Sequence, residues 1–203
     1  MTLKILLAVL FGGLTGFFWP QLSSYIDPLV TIFLLCMMFF VGLDFGQDRE
    51  LFSQLKKEGR TLIVYPILIA IGSLLGAFLI GFFLPIGVLE SVACGSAFGW
   101  YSLSGPLLSK LVSEELGTIA FLANLLRELS TFLLIPLLGQ LSKSRNGIKP
   151  LAFAPGGATT MDSTLPVVAR VAGPKTALAA FISGTVLSML VPFMLQFFAS
   201  FLV

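Results

Sequence analysis

Long apolar runs separated by short polar segments make up most of this chain. Five of the runs are nearly free of charged residues, at 3–19, 28–43, 61–84, 118–141 and 176–203. A transmembrane helix needs about 20 predominantly apolar residues, with a usual range of roughly 17 to 25. We therefore predict a membrane-spanning helix in each run.

Two further apolar segments are interrupted by helix-breaking residues. The first, 89–111, contains GSAFGWYSLSGP, and the second, 153–166, reads FAPGGATTMDSTLP. Backbone that leaves helical geometry inside a bilayer must find hydrogen bonds in protein or in a water-lined cavity, so such breaks are tolerated mainly where they build something. We predict broken or re-entrant helices at both places.

Together these segments predict an all-α integral membrane protein with about seven transmembrane segments, two of them broken or re-entrant. The chain 1–203 is expected to form a single membrane domain, with three helices in 1–84. A broken helix followed by a long helix is expected in 85–142 and again in 150–203. The strongly polar segment 46–60 is expected to be a cytoplasmic loop.

Composition supports the same class and excludes several others. Only 11% of the residues are charged, against roughly 25% in soluble domains. The small net charge of +2, with no basic stripe interleaved with aromatic residues, argues against a nucleic-acid surface. Because histidine is absent, histidine-based metal sites and triads are excluded. We expect no metal, no cofactor and no catalytic residue.

Ionisable side chains lie well inside the predicted membrane segments. Asp162 falls in the second break, and Arg127 and Glu128 fall within 118–141. A charge at the bilayer centre costs roughly 2.5 to 3.5 kcal/mol and by default marks a substrate or ion path. Asn124 and Glu128 are four residues apart and share one helix face, whereas Arg127 points elsewhere. This pattern predicts functional roles for Glu128 and Asp162.

A weak internal repeat relates the two broken segments. At an offset of 56 residues, Gly117 aligns with Gly173 and Pro136 aligns with Pro192. Each copy is a broken element followed by a long helix with a late proline. Paired interrupted segments are the best sequence indication of a transporter binding site near the membrane midplane, so the repeat favours a transporter.

Three motifs resemble the lysine exporter family called LysO: GWYSLSG at 99–105, FLANLLRELSTFLLIP at 121–136 and GGATTMDSTLPVVAR at 156–170. The resemblance implies a secondary transporter that exports L-lysine across the cytoplasmic membrane. In that family the implicated intramembrane carboxylates belong to the RE pair and the MD motif, which correspond to Glu128 and Asp162. Fused members carry additional N-terminal spans, so the resemblance also implies a small membrane-protein partner that supplies them, or a homo-oligomer.

Lysine carries an ammonium group, whose selection needs compact anionic and polar acceptors. The predicted substrate-binding and ion-binding residues are Glu128, Asp162, Asn124, Thr159, Thr160, Ser163 and Thr164. Gly156 and Gly157 in one break, with Gly99 and Gly105 in the other, are expected to allow close backbone approach. Arg127 is a possible charge partner of a carboxylate. Desolvation favours a neutral carboxylate, so H⁺ is the expected coupling cation of an antiporter.

Other functions are weighed against export of lysine. An intramembrane aspartyl protease also uses membrane carboxylates, but its GxGD signature is absent, so we expect no enzyme. A structural or channel-like membrane subunit, whose acidic residues only pair with Arg127, stays open. So does an exporter of another cationic amino acid or of an analogue such as thialysine.

The distribution of basic residues predicts the orientation. In a seven-crossing arrangement, eight lysines and arginines fall on one side and three, Lys143, Arg145 and Lys149, fall on the other. Cytoplasmic loops carry the excess of positive charge. The N-terminus is therefore expected inside and the C-terminus outside.

Overall fold

A computed structural model of the protein describes residues 49–142 and 147–203, together with scattered helical positions between 11 and 40. The chain divides into two units, Met1–Asp44 and Phe45–Val203. Most of the predicted spans 3–19 and 28–43 lies outside the described residues. The helices below belong to the second unit and are numbered within it.

Six α-helices and two 3-10 turns follow one another in the described part of the second unit. They are α1 (Arg49–Gly81), α2 (Val88–Gly95), α3 (Tyr101–Leu111), α4 (Glu114–Leu141), the 3-10 turns Pro150–Ala152 and Gly157–Met161, α5 (Leu165–Ala172) and α6 (Pro174–Ala199). The prediction of an all-helical fold is confirmed for these ranges.

Three of the helices are long and apolar enough to cross a membrane. They are Leu62–Gly81 within α1, all of α4 and all of α6, with mean hydropathies of 2.4, 1.5 and 2.0. At a rise of about 1.5 Å per residue, the first extends about 30 Å, which matches the hydrocarbon core of a bilayer. Large apolar side chains such as Leu133 and Phe193 stay exposed on them, as lipid-facing side chains do.

The predicted loop at 46–60 is wrong from Arg49 onward, because α1 begins there and continues to Gly81. The first turns of α1 read RELFSQLKKEGR, in which leucine, arginine, lysine, glutamine and glutamate are all good helix formers. The polar composition therefore indicates where the apolar span starts. It does not indicate where the helix starts.

Both segments predicted to be broken are interrupted in the structure. Between α2 and α3 the backbone φ angles of Phe98 and Gly99 are positive, at 50° and 101°, and this stops the helix. Ahead of α5, a turn leads into the 3-10 turn Gly157–Met161, whose first residue has a φ of 60°. Each interruption therefore contains backbone that a regular helix cannot accommodate.

Each broken segment packs against the long helix that follows it. Helices α2 and α3 contact α4, and the 3-10 turn Gly157–Met161 and α5 contact α6. One apolar cluster of the core includes the fully buried Phe153, Ile135 and Ile182. The two halves thus share the arrangement of a break resting on a long helix.

Gly184 in α6 lies where this helix approaches the second break most closely. A Cβ added there would lie 2.5 Å from the Met161 backbone nitrogen and 3.0 Å from the Ala158 carbonyl oxygen. Backbone would have to move, so we expect Gly184→Ala to destabilise the fold by about 1–3 kcal/mol. Thermal unfolding in detergent should show a melting temperature lower by several degrees.

Gly72→Ala in α1 is the matched control, since no described atom lies within 4 Å of the added Cβ. Alanine also favours a helix interior by roughly 0.5–1 kcal/mol over glycine. The control should leave the melting temperature unchanged or raise it. Equal losses in the two variants would contradict the close packing at Gly184.

Candidate functional site

The two breaks contact each other directly. The Ala158 N–H of the second break donates to the Phe98 carbonyl of the first at 2.8 Å. A Cβ on Gly99 would lie 3.1 Å from the Gly156 carbonyl oxygen, and one on Gly157 would overlap the Phe98 carbonyl. Because Gly99 and Gly157 also have positive φ, glycine meets both demands. We call this contact between the two breaks the crossing.

Asn124 in α4 holds the first break with both ends of its amide. Its side-chain oxygen accepts from the Gly99 N–H at 2.9 Å, and its nitrogen donates to the Cys94 and Ala120 carbonyls at 3.0 and 2.9 Å. Only 3% of the residue is exposed. These bonds use both amide protons, so in this conformation Asn124 supports the break and offers no further donor.

The threonines of the second break direct their hydroxyls towards nearby carbonyls. Thr159 and Thr164 donate within the break itself, at 3.0 and 3.1 Å. The Thr160 hydroxyl lies 2.7 Å from the Gly157 carbonyl oxygen and 3.0 Å from that of Ala180 in α6. All three threonines are buried. Their hydroxyls therefore hold the 3-10 turn together and attach it to α6.

Glu128 is the residue on which side chains from three elements converge. It lies on the α4 face that also carries Asn124 and is 8% exposed. Tyr101, in α3, and Ser163, in the second break, lie close enough to interact with its carboxyl group, while the Ser163 hydroxyl donates to the Thr159 carbonyl at 3.5 Å. Asp162 is close enough to interact electrostatically with both Glu128 and Tyr101. We call Glu128, Asp162, Tyr101 and Ser163 the acidic site.

The two carboxylates of the acidic site differ in their exposure. Glu128 is buried, whereas Asp162 is exposed. Asp162 also accepts a hydrogen bond from the Ser163 backbone N–H, and its carbonyl accepts from Leu165 at the start of α5 at 3.2 Å. Asp162 is therefore the more accessible of the two carboxylates.

Arg127 is partly buried at the crossing, away from the carboxylates. Its Nε–H donates to the Pro155 carbonyl at 2.9 Å, and its side chain would contact a Cβ on Gly157. In the part of the chain that the structure describes, Arg127 forms no ion pair. The expected pairing of Arg127 with a carboxylate is not among the described contacts.

Some predicted residues lie together and one lies apart. Gly99, Gly156 and Gly157 meet at the crossing, but Gly105 packs on Phe121, where a Cβ would lie 2.8 Å from the Phe121 Cβ. Gly105 therefore allows α3 to pack closely on α4. Tyr101 belongs to the acidic site because α3 packs against α4, which carries Glu128.

Comparison with known proteins gives the same family throughout. The family described as Lysine exporter LysO matches residues 6–199. The chain is 35% identical over 202 residues to Lysine exporter LysO of Escherichia coli, covering 98% of this chain and 64% of that protein. A Haemophilus influenzae relative is 30% identical over 200 residues, covering 98% of both chains. No solved structure gives a significant match.

The bonds of Asn124 generate a prediction about stability. Asn124→Leu leaves the buried Gly99 N–H without its partner, at a cost of about 1–3 kcal/mol, and removes one of the donors to the Cys94 carbonyl. We expect a lower melting temperature in detergent and faster hydrogen exchange at the Gly99 amide.

Gln140→Leu is the control for this experiment, since Gln140 is an exposed amide on the same helix. It should leave the melting temperature nearly unchanged. Unaltered hydrogen exchange at Gly99 in Asn124→Leu would contradict the bracing role of the amide.

Proposed function

Because the chain belongs to the lysine exporter LysO family, we propose that it exports L-lysine across the cytoplasmic membrane as a cation-coupled antiporter. The chain spans 64% of the length of the Escherichia coli relative. The observation that carries the proposal is the acidic site. Its two carboxylates, from separate elements, lie near the crossing of two broken segments.

The chemistry of the acidic site suits the ammonium group of lysine. An ammonium has three donors and no acceptor, and Glu128 and Asp162 supply acceptors of opposite charge. The side chains of Tyr101 and Ser163 lie beside the Glu128 carboxyl. Thialysine presents the same ammonium group on a chain of equal length, so we propose it as a second substrate.

The proximity of the two carboxylates supports the proposed antiport. Two like charges at short range repel, so the pair favours either a bound cation or a proton on one of its members. Lysine and H⁺ then compete for the same carboxylates. The site carries lysine in one direction and H⁺ in the other. Competition of this kind couples outward movement of lysine to inward movement of protons.

The backbone around the site supports this mechanism. Interrupted helices that meet near the midplane are the common binding architecture of secondary transporters. The bonds of Asn124 and the threonines hold the breaks while the carboxylates stay available. We propose seven crossings with the two broken segments meeting near the midplane, the N-terminus inside and the C-terminus outside. A small membrane-protein partner or a second copy of this chain completes the proposed assembly.

The role of the carboxylates is tested by flux of radiolabelled lysine in inside-out vesicles. We expect Glu128→Gln and Asp162→Asn each to lower the rate by about 10-fold or more, because each loses a charge-assisted hydrogen bond of roughly 1.5–3 kcal/mol. Glu115→Gln, an exposed acid in the first turn of the same helix, is the control and should keep the wild-type rate. Wild-type flux in the Glu128→Gln, Asp162→Asn double variant would rule out the acidic site.

Coupling is tested in proteoliposomes with imposed ion gradients. We expect a pH gradient alone to drive lysine against its own concentration gradient and a protonophore to abolish this movement, since H⁺ and lysine compete for the carboxylates. Measurement of internal pH with a trapped dye should show proton movement opposite to lysine. Lysine accumulation driven by a Na⁺ gradient and indifferent to pH would contradict H⁺ as the coupling cation.

A further inference from the structure

A cavity beside Arg127 lies apart from the acidic site. Its volume is about 550 Å³, and its walls come from α1, the segment 150–154 and Arg127. Among the described residues that line it, Arg127 is the single charged one, and neither Glu128 nor Asp162 contributes to the wall. The cavity therefore has a basic character, in contrast with the acidic site.

The guanidinium of Arg127 is only partly satisfied. Its Nε–H donates to the Pro155 carbonyl, which fixes the side chain in place. Within the described ranges, its terminal nitrogens have no hydrogen-bond partner and no carboxylate. A guanidinium has five N–H donors, so the terminal donors of Arg127 at the cavity wall can bind an anion.

The remaining walls indicate which anion fits. Tyr65 and Ser73 line the cavity, and each carries a hydroxyl that has no hydrogen-bond partner among the described residues. Most of the other wall is apolar, with Phe153 and Ile69 as examples, and Gly76 leaves open space. Hydrogen-bond donors beside an apolar wall complement a carboxylate attached to an aliphatic chain.

We propose that the cavity beside Arg127 binds a carboxylate, and that this carboxylate is the α-carboxylate of the exported amino acid. The identity of the ligand rests on the proposed function. Arginine pairs with carboxylates through two parallel hydrogen bonds, which gives geometric selectivity as well as affinity. An acidic site alone would accept any diamine, so recognition of the carboxylate is what separates an amino acid from a diamine.

The proposal is tested by comparing two ligands on the full-length protein in detergent. L-Lysine and cadaverine share the aliphatic chain and the terminal ammonium, but cadaverine lacks the carboxylate. We expect wild-type protein to bind lysine about 10–100-fold more tightly than cadaverine, the range of one charge-assisted hydrogen bond. Arg127→Gln should remove most of this ratio by weakening lysine while leaving the Kd of cadaverine unchanged.

Two further variants make the result specific. Arg127→Lys keeps the positive charge but loses the fork of donors, so it should retain a reduced preference for lysine. Arg170→Gln, an exposed arginine in the last turn of α5, should keep the full wild-type ratio.

Several outcomes would overturn the proposal. Equal Kd values of lysine and cadaverine in wild-type protein would do so without any variant, even if Arg127→Gln fails to fold. A loss of affinity for both ligands alike in Arg127→Gln would assign the residue a structural role. If Arg127→Gln changes the ratio of the two Kd values only while lipid is bound, and no longer does so after delipidation, the cavity binds a lipid phosphate. Failure of wild-type protein to bind or move lysine would instead contradict the proposed function.

Discussion

The rest of this structure depends on one constraint, which is that buried backbone leaving helical geometry must still form hydrogen bonds. The two broken segments meet this constraint together, through the bond from Ala158 to Phe98 and through the amide of Asn124. The second segment supplies an N–H donor, and the first supplies the carbonyl that accepts it. The crossing is therefore a structural unit first, and side chains near it are placed as a consequence.

The crossing separates charges that are neighbours in sequence. Arg127 and Glu128 are consecutive in α4, so their side chains project in directions about 100° apart. Glu128 meets Tyr101, Ser163 and Asp162, whereas Arg127 bonds to Pro155 and lines a different cavity. A zwitterionic amino acid with a cationic side chain carries groups of both signs. The fold offers a separate environment for each sign.

The two halves of the second unit both contact a break from equivalent positions of their long helices. At the offset of 56 residues found in the sequence, Asn124 corresponds to Ala180 and Glu128 to Gly184. Asn124 binds the first break, and the Ala180 carbonyl lies within reach of Thr160 in the second. Gly184 occupies the position equivalent to Glu128. Because it has no side chain, the second break packs closely against it. The shared geometry supports the repeat, while only one half carries the carboxylate on its long helix.

The sequence by itself determined the membrane class, the long helices and the two breaks, because these depend on local hydropathy and on residues that stop a helix. It also singled out Glu128 and Asp162, since intramembrane charge is rare and costly. The helical start of α1 within 46–60 was missed, because polarity reports the membrane boundary and not helix propensity.

Only the tertiary structure decided which polar groups serve the fold and which stay available. Asn124 and the three threonines are predicted to bind the substrate, and in the structure their side chains hydrogen-bond to backbone; their binding role stays a prediction. Tyr101 joins Glu128 because α3 packs on α4, and Arg127 faces a cavity formed with α1. A hydroxyl or an amide is the same chemical group whether it supports the fold or binds a substrate. Its partners are set by contacts between segments far apart in the chain, which no local pattern encodes.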